Sequence, residues 1–90
     1  MKYDKQLELR KKEIIAENPV CVRCQKTTGL TIDHIIPIWF LQQLALPKED
    51  TFDEYNFQVL CGVCNAFKAN RMDFSNPKTK ENLLKYLEKV

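Results

Sequence analysis

The 90-residue chain carries 14 Lys and Arg against 12 Asp and Glu, a formal charge of +2, with 44% hydrophobic and 29% charged residues. This balance excludes a collagen-like, low-complexity or generally disordered chain, and no apolar run approaches the ~18 residues of a membrane-spanning helix. Met1-Lys2-Tyr3-Asp4-Lys5 is polar and lacks the apolar stretch of a signal peptide, so a cytoplasmic location with reduced thiols is expected. One domain over residues 1–90 is expected, with its core at about 20–71. Such a chain buries roughly 60–65% of its unfolded surface, so its core is marginal without a disulfide, a metal or a partner. Charge is uneven. Residues 1–26 hold seven Lys/Arg against four acids, residues 27–65 hold Lys48 against five acids, and residues 66–90 hold six Lys/Arg against three acids. Basic flanks around an acidic centre suit a phosphate polymer held over a cation site, although a mixed solvated surface reads the same way.

The pattern predicts a helix over about 4–17, with Tyr3, Leu7, Ile14 and the Arg10 stem near one face. Asn18-Pro19 stops it, because the residue before proline leaves the α region. Arg10-Lys11-Lys12 reads more readily as a solvated basic turn than as a nucleic-acid contact. Gln25–Gly29 is a turn. Leu30-Thr31-Ile32 is β-branched and apolar and predicts a strand that runs into Asp33-His34 and ends at Pro37. Ile38–Leu46 is apolar and predicts a short helix capping the core, with a hydrophobic loop or dimer surface as the alternative. Pro47–Glu54 is acidic, turn-like and expected to be mobile. Phe57–Leu60 alternates as a second strand, and Asn65–Asn70 predicts a helix. Asn76-Pro77 is a capping residue followed by proline at the first helical position, and opens a final helix over about 77–89. Leu83, Leu84, Leu87 and Val90 are expected to line its buried face.

All four cysteines fall in two pairs, Cys21-x-x-Cys24 and Cys61-x-x-Cys64. A two-residue gap lets both sulfurs of a pair face one ion. Two pairs supply a tetrahedral sulfur site that suits a structural Zn²⁺ with no open position for water. A redox pair or disulfides are the alternatives, and reduced thiols weigh against them. Closing this clip brings the two strands side by side and the start of the Asn65 helix near Asp33-His34. His34 is the only histidine, and an ordinary imidazole titrates near pH ~6.5. Asp33 and Asn65 offer hard oxygens suited to Mg²⁺ or Mn²⁺, beside a base able to deprotonate water.

Cys21-x-x-Cys24, the run Leu30-Thr31-Ile32-Asp33-His34-Ile35-Ile36-Pro37 and the run Asn56–Lys68 resemble the HNH endonucleases, the ββα-metal nucleases, in order and spacing through about residues 21–71. The resemblance implies an α+β fold: a small zinc-clipped ββα-metal domain with flanking N- and C-terminal helices. It implies His34 as general base, Asp33 as metal ligand, Asn56 as the residue holding the loop between the strands, and Asn65 in place of the family's last histidine, completing the cation site as in HNN variants. Lys68 would steady the helix or a phosphate, and Lys68 and Arg71 would contact nucleic acid. The implied activity is phosphodiester hydrolysis, most often in DNA, leaving 5′-phosphate and 3′-hydroxyl ends. One such site cuts one strand, so double-strand cleavage calls for a homodimer or a larger nuclease or packaging complex. The final Asn and the missing glycine pair between Pro37 and Asn56 are departures that bear on the active-site rim. The rival class is a non-catalytic zinc module that binds nucleic acid or a partner protein.

Overall fold

The computed structural model describes residues 2–47 and 53–90. In chain order these form α1 (Lys2–Glu17), β1 (Leu30–His34), α2 (Ile38–Gln43), a 3₁₀ turn (Glu54–Asn56), β2 (Phe57–Cys61), α3 (Gly62–Lys68) and α4 (Pro77–Leu87). The class is α+β, with four α-helices and one two-stranded antiparallel sheet among the described residues. Two backbone bonds bracket the ribbon. The Gly62 N–H donates to the Gly29 carbonyl at 2.9 Å, and the Ile35 N–H donates to the Asn56 carbonyl at 2.8 Å. This register sets Leu30 opposite Cys61 and His34 opposite Phe57. Gly29 enters the ribbon at φ 62°, a left-handed conformation that glycine adopts without penalty. The expected acidic turn over Pro47–Glu54 falls mainly on residues 48–52, which lie outside the described residues. No helix among the described residues is long and apolar enough to cross a membrane.

The chain divides into two compact units, Met1–Asp33 with Val59–Phe67, and His34–Gln58 with Lys68–Val90. In the first, α1 ends where Asn18-Pro19 requires, and the Asn18 backbone N–H and side-chain amide both donate to the Ile14 carbonyl, at 3.0 and 3.3 Å. Leu7, Arg10 and Ile14 are half-buried along one face. Arg10 pairs with Glu13 and Glu17, and Lys11 with Glu8, so charges of this basic turn are satisfied along the helix itself. Few apolar residues are buried: Cys21, Leu60 and Cys61 form one cluster, with Leu30 and Cys64 packed on it, and Val59 is buried as well. A core this small, with thiols as half of its buried apolar members, stabilises little by area alone, and its cohesion depends on what the sulfurs bind.

The second unit has the larger apolar cluster. Ile36, Leu41 and Tyr86 are buried, with Phe40, Leu44, Leu46, Tyr55, Met72 and Leu83 against them. The apolar run Ile38–Leu46 is therefore core. Trp39 is its outward member, 46% exposed, with its indole N–H on the Asn70 carbonyl at 2.7 Å. α4 opens as expected, with the Asn76 side chain accepting the Lys78 N–H at 2.9 Å and Pro77 at the first helical position.

Two expectations are corrected. α3 spans Gly62–Lys68 rather than 65–70, because the helix begins inside the second cysteine pair, directly after Cys61 ends β2, and Ala69 at φ 50° turns left-handed and stops it. α4 buries Thr79, Asn82 and Tyr86, whereas Leu84, Leu87 and Val90 are exposed. The buried face is chosen by polar groups that find specific partners: Thr79 Oγ1 donates to the Asp73 carbonyl at 2.6 Å and Asn82 Nδ2 to the Tyr55 carbonyl at 3.0 Å.

Candidate functional site

The first cysteine pair sits on a tight turn. The Cys21 N–H donates to the Lys26 carbonyl at 2.8 Å, and its carbonyl accepts the Gln25 N–H at 2.9 Å. Gln25 closes the turn at φ 66°. The Val22 N–H donates to the Val59 carbonyl at 3.0 Å, which ties the turn to β2. The second pair joins the end of β2 to α3, and the Cys64 N–H points at Cys61 Sγ at 3.5 Å. The four sulfurs, from Cys21, Cys24, Cys61 and Cys64, lie within 4.8 Å of one another. Cys24 Sγ and Cys61 Sγ are 3.6 Å apart. That is far beyond the ~2.05 Å of a disulfide and close to the ~3.8 Å edge of a tetrahedron with ~2.3 Å Zn–S bonds. All four cysteines are free thiols in the structure. Four soft donors at this spacing fit a zinc ion, and such a closed site would be structural.

The electrostatics of the cluster are graded. Burial works against ionisation of Cys21, but backbone N–H groups at Cys24, Cys61 and Arg23 outweigh it and lower the thiol to about 6. The Cys64 N–H, against the opposing effect of burial, likewise lowers Cys61. Burial and the neighbouring sulfurs push Cys64 up to about 12. The cluster thus favours partial negative charge, as a cation site should.

Asp33 and Asn65 belong to the same unit. Asp33, near the end of β1, is 8% exposed. Thr31 precedes it by two residues, so the two side chains share one face of the strand. Asn65, half-buried on α3, donates its Nδ2 to Thr31 Oγ1 at 2.8 Å, and Thr31 Oγ1 in turn bonds the Leu60 carbonyl at 2.8 Å. Asn65 is thereby brought to the strand face that carries Asp33. A carboxylate and an amide are all-oxygen donors, which fit Mg²⁺ or Mn²⁺ and not a second zinc-like sulfur site.

His34, Asn56, Lys68 and Arg71 belong to the second unit. The half-buried His34 ring meets Phe57 edge-on, with centroids 5.1 Å apart and planes at 77°. Asn56 is fully buried. Its Oδ1 accepts the Ile36 N–H at 2.8 Å, and its Nδ2 donates to the Ile36 carbonyl at 3.0 Å. With the Ile35 N–H on its own carbonyl, Asn56 pins the backbone that follows His34. Lys68 is 4% exposed and donates its Nζ to the His34 carbonyl at 2.9 Å. Of its two expected roles, support of the helix and phosphate contact, this geometry supplies an internal support, since burial turns the ammonium onto backbone. Arg71 is exposed, and its Nε donates to the Lys68 carbonyl at 3.3 Å.

Two participants escaped the sequence. Thr31 reads there only as a strand residue. Asn82 lies within 3.4 Å of Asn56 Oδ1 and bonds the Tyr55 carbonyl, and so connects α4 to the loop that Asn56 holds. The signal that could have found Asn82 is its spacing from Thr79 and Tyr86, a polar-lined face on the helix. Comparison with protein-family models matches the HNH endonuclease family over residues 21–71, more than half of the chain. Comparison with curated proteins and with solved structures gives no match. The matched stretch holds both cysteine pairs together with Asp33, His34, Asn56 and Asn65, and the chain belongs to the HNH endonuclease family.

Proposed function

We propose that this chain is a metal-dependent endonuclease that hydrolyses phosphodiester bonds in DNA. One observation carries the reading: the stretch that matches the family encloses an acid, an imidazole and two asparagines, Asp33, His34, Asn56 and Asn65. His34 is the general base that takes a proton from the attacking water. Asp33 and Asn65 would hold a divalent cation, Mg²⁺ or Mn²⁺, with their side-chain oxygens. When bound, that cation supplies charge neutralisation at the scissile phosphate and at the departing 3′-oxygen. Asn56 keeps the Ile35–Ile36 backbone rigid, and Lys68 fixes the carbonyl of His34, so that the imidazole is carried on a held segment. Arg71, exposed three residues after Lys68, would contact a DNA phosphate. The cysteines hold a structural zinc, and a homodimer or a larger nuclease complex would supply the second cut of a duplex.

The test is supercoiled plasmid incubated with the zinc-loaded chain in Mg²⁺, Mn²⁺ or EDTA, beside His34→Ala. Metal-dependent nicking is expected, and the mutant should lose roughly 10²–10⁴-fold in rate while keeping its zinc and its melting temperature. Wild-type activity in the mutant would remove His34 from the chemistry. Binding without cleavage by the folded protein would instead favour a non-catalytic zinc module.

A further inference from the structure

A threonine hydroxyl has one proton to donate. The Leu60 carbonyl can only accept, so its 2.8 Å contact with Thr31 Oγ1 takes that proton. Thr31 Oγ1 can then meet Asn65 only as an acceptor. The 2.8 Å contact between them therefore requires the NH₂ end of the amide. A flipped Asn65 would set two oxygens at that distance with no hydrogen between them. The proton count thus fixes an orientation that side-chain shape alone leaves ambiguous. Nδ2 faces Thr31, and Oδ1 is turned the other way.

We infer that Thr31 is a positioning residue that sets the Asn65 amide so that its oxygen is offered to a hard divalent cation shared with Asp33. The inference rests on the reading of Asp33 and Asn65 as cation ligands. The position of Thr31 two residues before Asp33 puts the lock and the carboxylate on one strand face. Asparagine needs such a device where aspartate would not, because only one of its two terminal atoms binds a hard cation. A hydroxyl that has already given its proton to backbone is a lock without a charge of its own.

The experiment measures Mn²⁺ binding by calorimetry and by the electron paramagnetic resonance of free Mn²⁺. It uses the zinc-loaded full chain without DNA. Thr31→Val keeps β-branching and volume but removes the acceptor. It should weaken Mn²⁺ binding by about 10–100-fold, the range for loss of a partner behind a metal ligand. Thr31→Ser should restore binding. In an Asn65→Asp background both terminal atoms are oxygens, and Thr31→Val should no longer weaken the site. Zinc content and melting temperature are recorded for each variant, and Thr31→Ala gives the same readout should the valine variant fail to fold. Wild-type Mn²⁺ affinity in Thr31→Val, with Asp33→Asn and Asn65→Ala both defective, overturns the positioning role alone. Mn²⁺ binding indifferent to Asp33→Asn and Asn65→Ala overturns the ligand reading and the lock together.

Discussion

Replacing Asn56 by alanine tests how the segment after His34 is held. Asn56 is fully buried, and its amide grips both backbone groups of Ile36, a residue with no exposed surface of its own. Asn56→Ala leaves the Ile36 N–H and carbonyl without these partners. An unsatisfied buried polar group costs about 1–3 kcal/mol, so two cost roughly 2–6 kcal/mol, while the Asn82 amide keeps its bond to the Tyr55 carbonyl. Domains of this size have a total stability of about 5–10 kcal/mol. At about 4–8 °C per kcal/mol for a chain of 60–100 residues, the melting temperature should fall by about 8 °C or more. Circular dichroism melts of zinc-loaded protein, with a urea midpoint as a second measure, provide the assay. Asn56→Asp should also destabilise, because a carboxylate would face the Ile36 carbonyl where the amide now donates. A fall of less than about 3 °C in Asn56→Ala would mean that water or a backbone shift replaces both bonds. The proposed bracing of the loop would then be wrong.

Two further outcomes follow from particular residues. Cys64 is pushed up to about 12 and Cys21 is lowered to about 6. At pH 7 Cys64 therefore still carries its proton, and an incoming zinc ion must displace it. Affinity should weaken as pH falls, more steeply below about 6, where Cys21 also protonates. Calorimetry in buffers of different ionisation enthalpy should show proton release, and a zinc affinity flat between pH 5.5 and 8 would contradict this account. Ala69 ends α3 at φ 50°, where a side chain is strained. Ala69→Gly should stabilise the protein by about 0.5–1 kcal/mol, after the added freedom of the unfolded chain is subtracted. An unchanged or lower melting temperature would count against strain at that position.

Short-range chemistry was fully legible. The spacing of the cysteine pairs, the stop at Asn18-Pro19, the Asn76-Pro77 start and the alternation of the strands each depend on a few neighbouring residues. Those determinants are present in the linear chain. The α+β class and the HNH family followed from the same local signals, because the matched residues occur in order within one stretch. What the sequence by itself did not determine depends on partners far apart along the chain. Lys68 meets the His34 carbonyl across 34 positions, Asn65 meets Thr31 across 34, and Asn82 meets Asn56 across 26. Hydropathy periodicity favoured a leucine face for α4, since it weighs burial by apolarity alone. The tertiary structure buries Thr79 and Asn82 instead, because a polar side chain with a well-placed partner is accommodated in the interior, and such a partner exists only once the chain has folded.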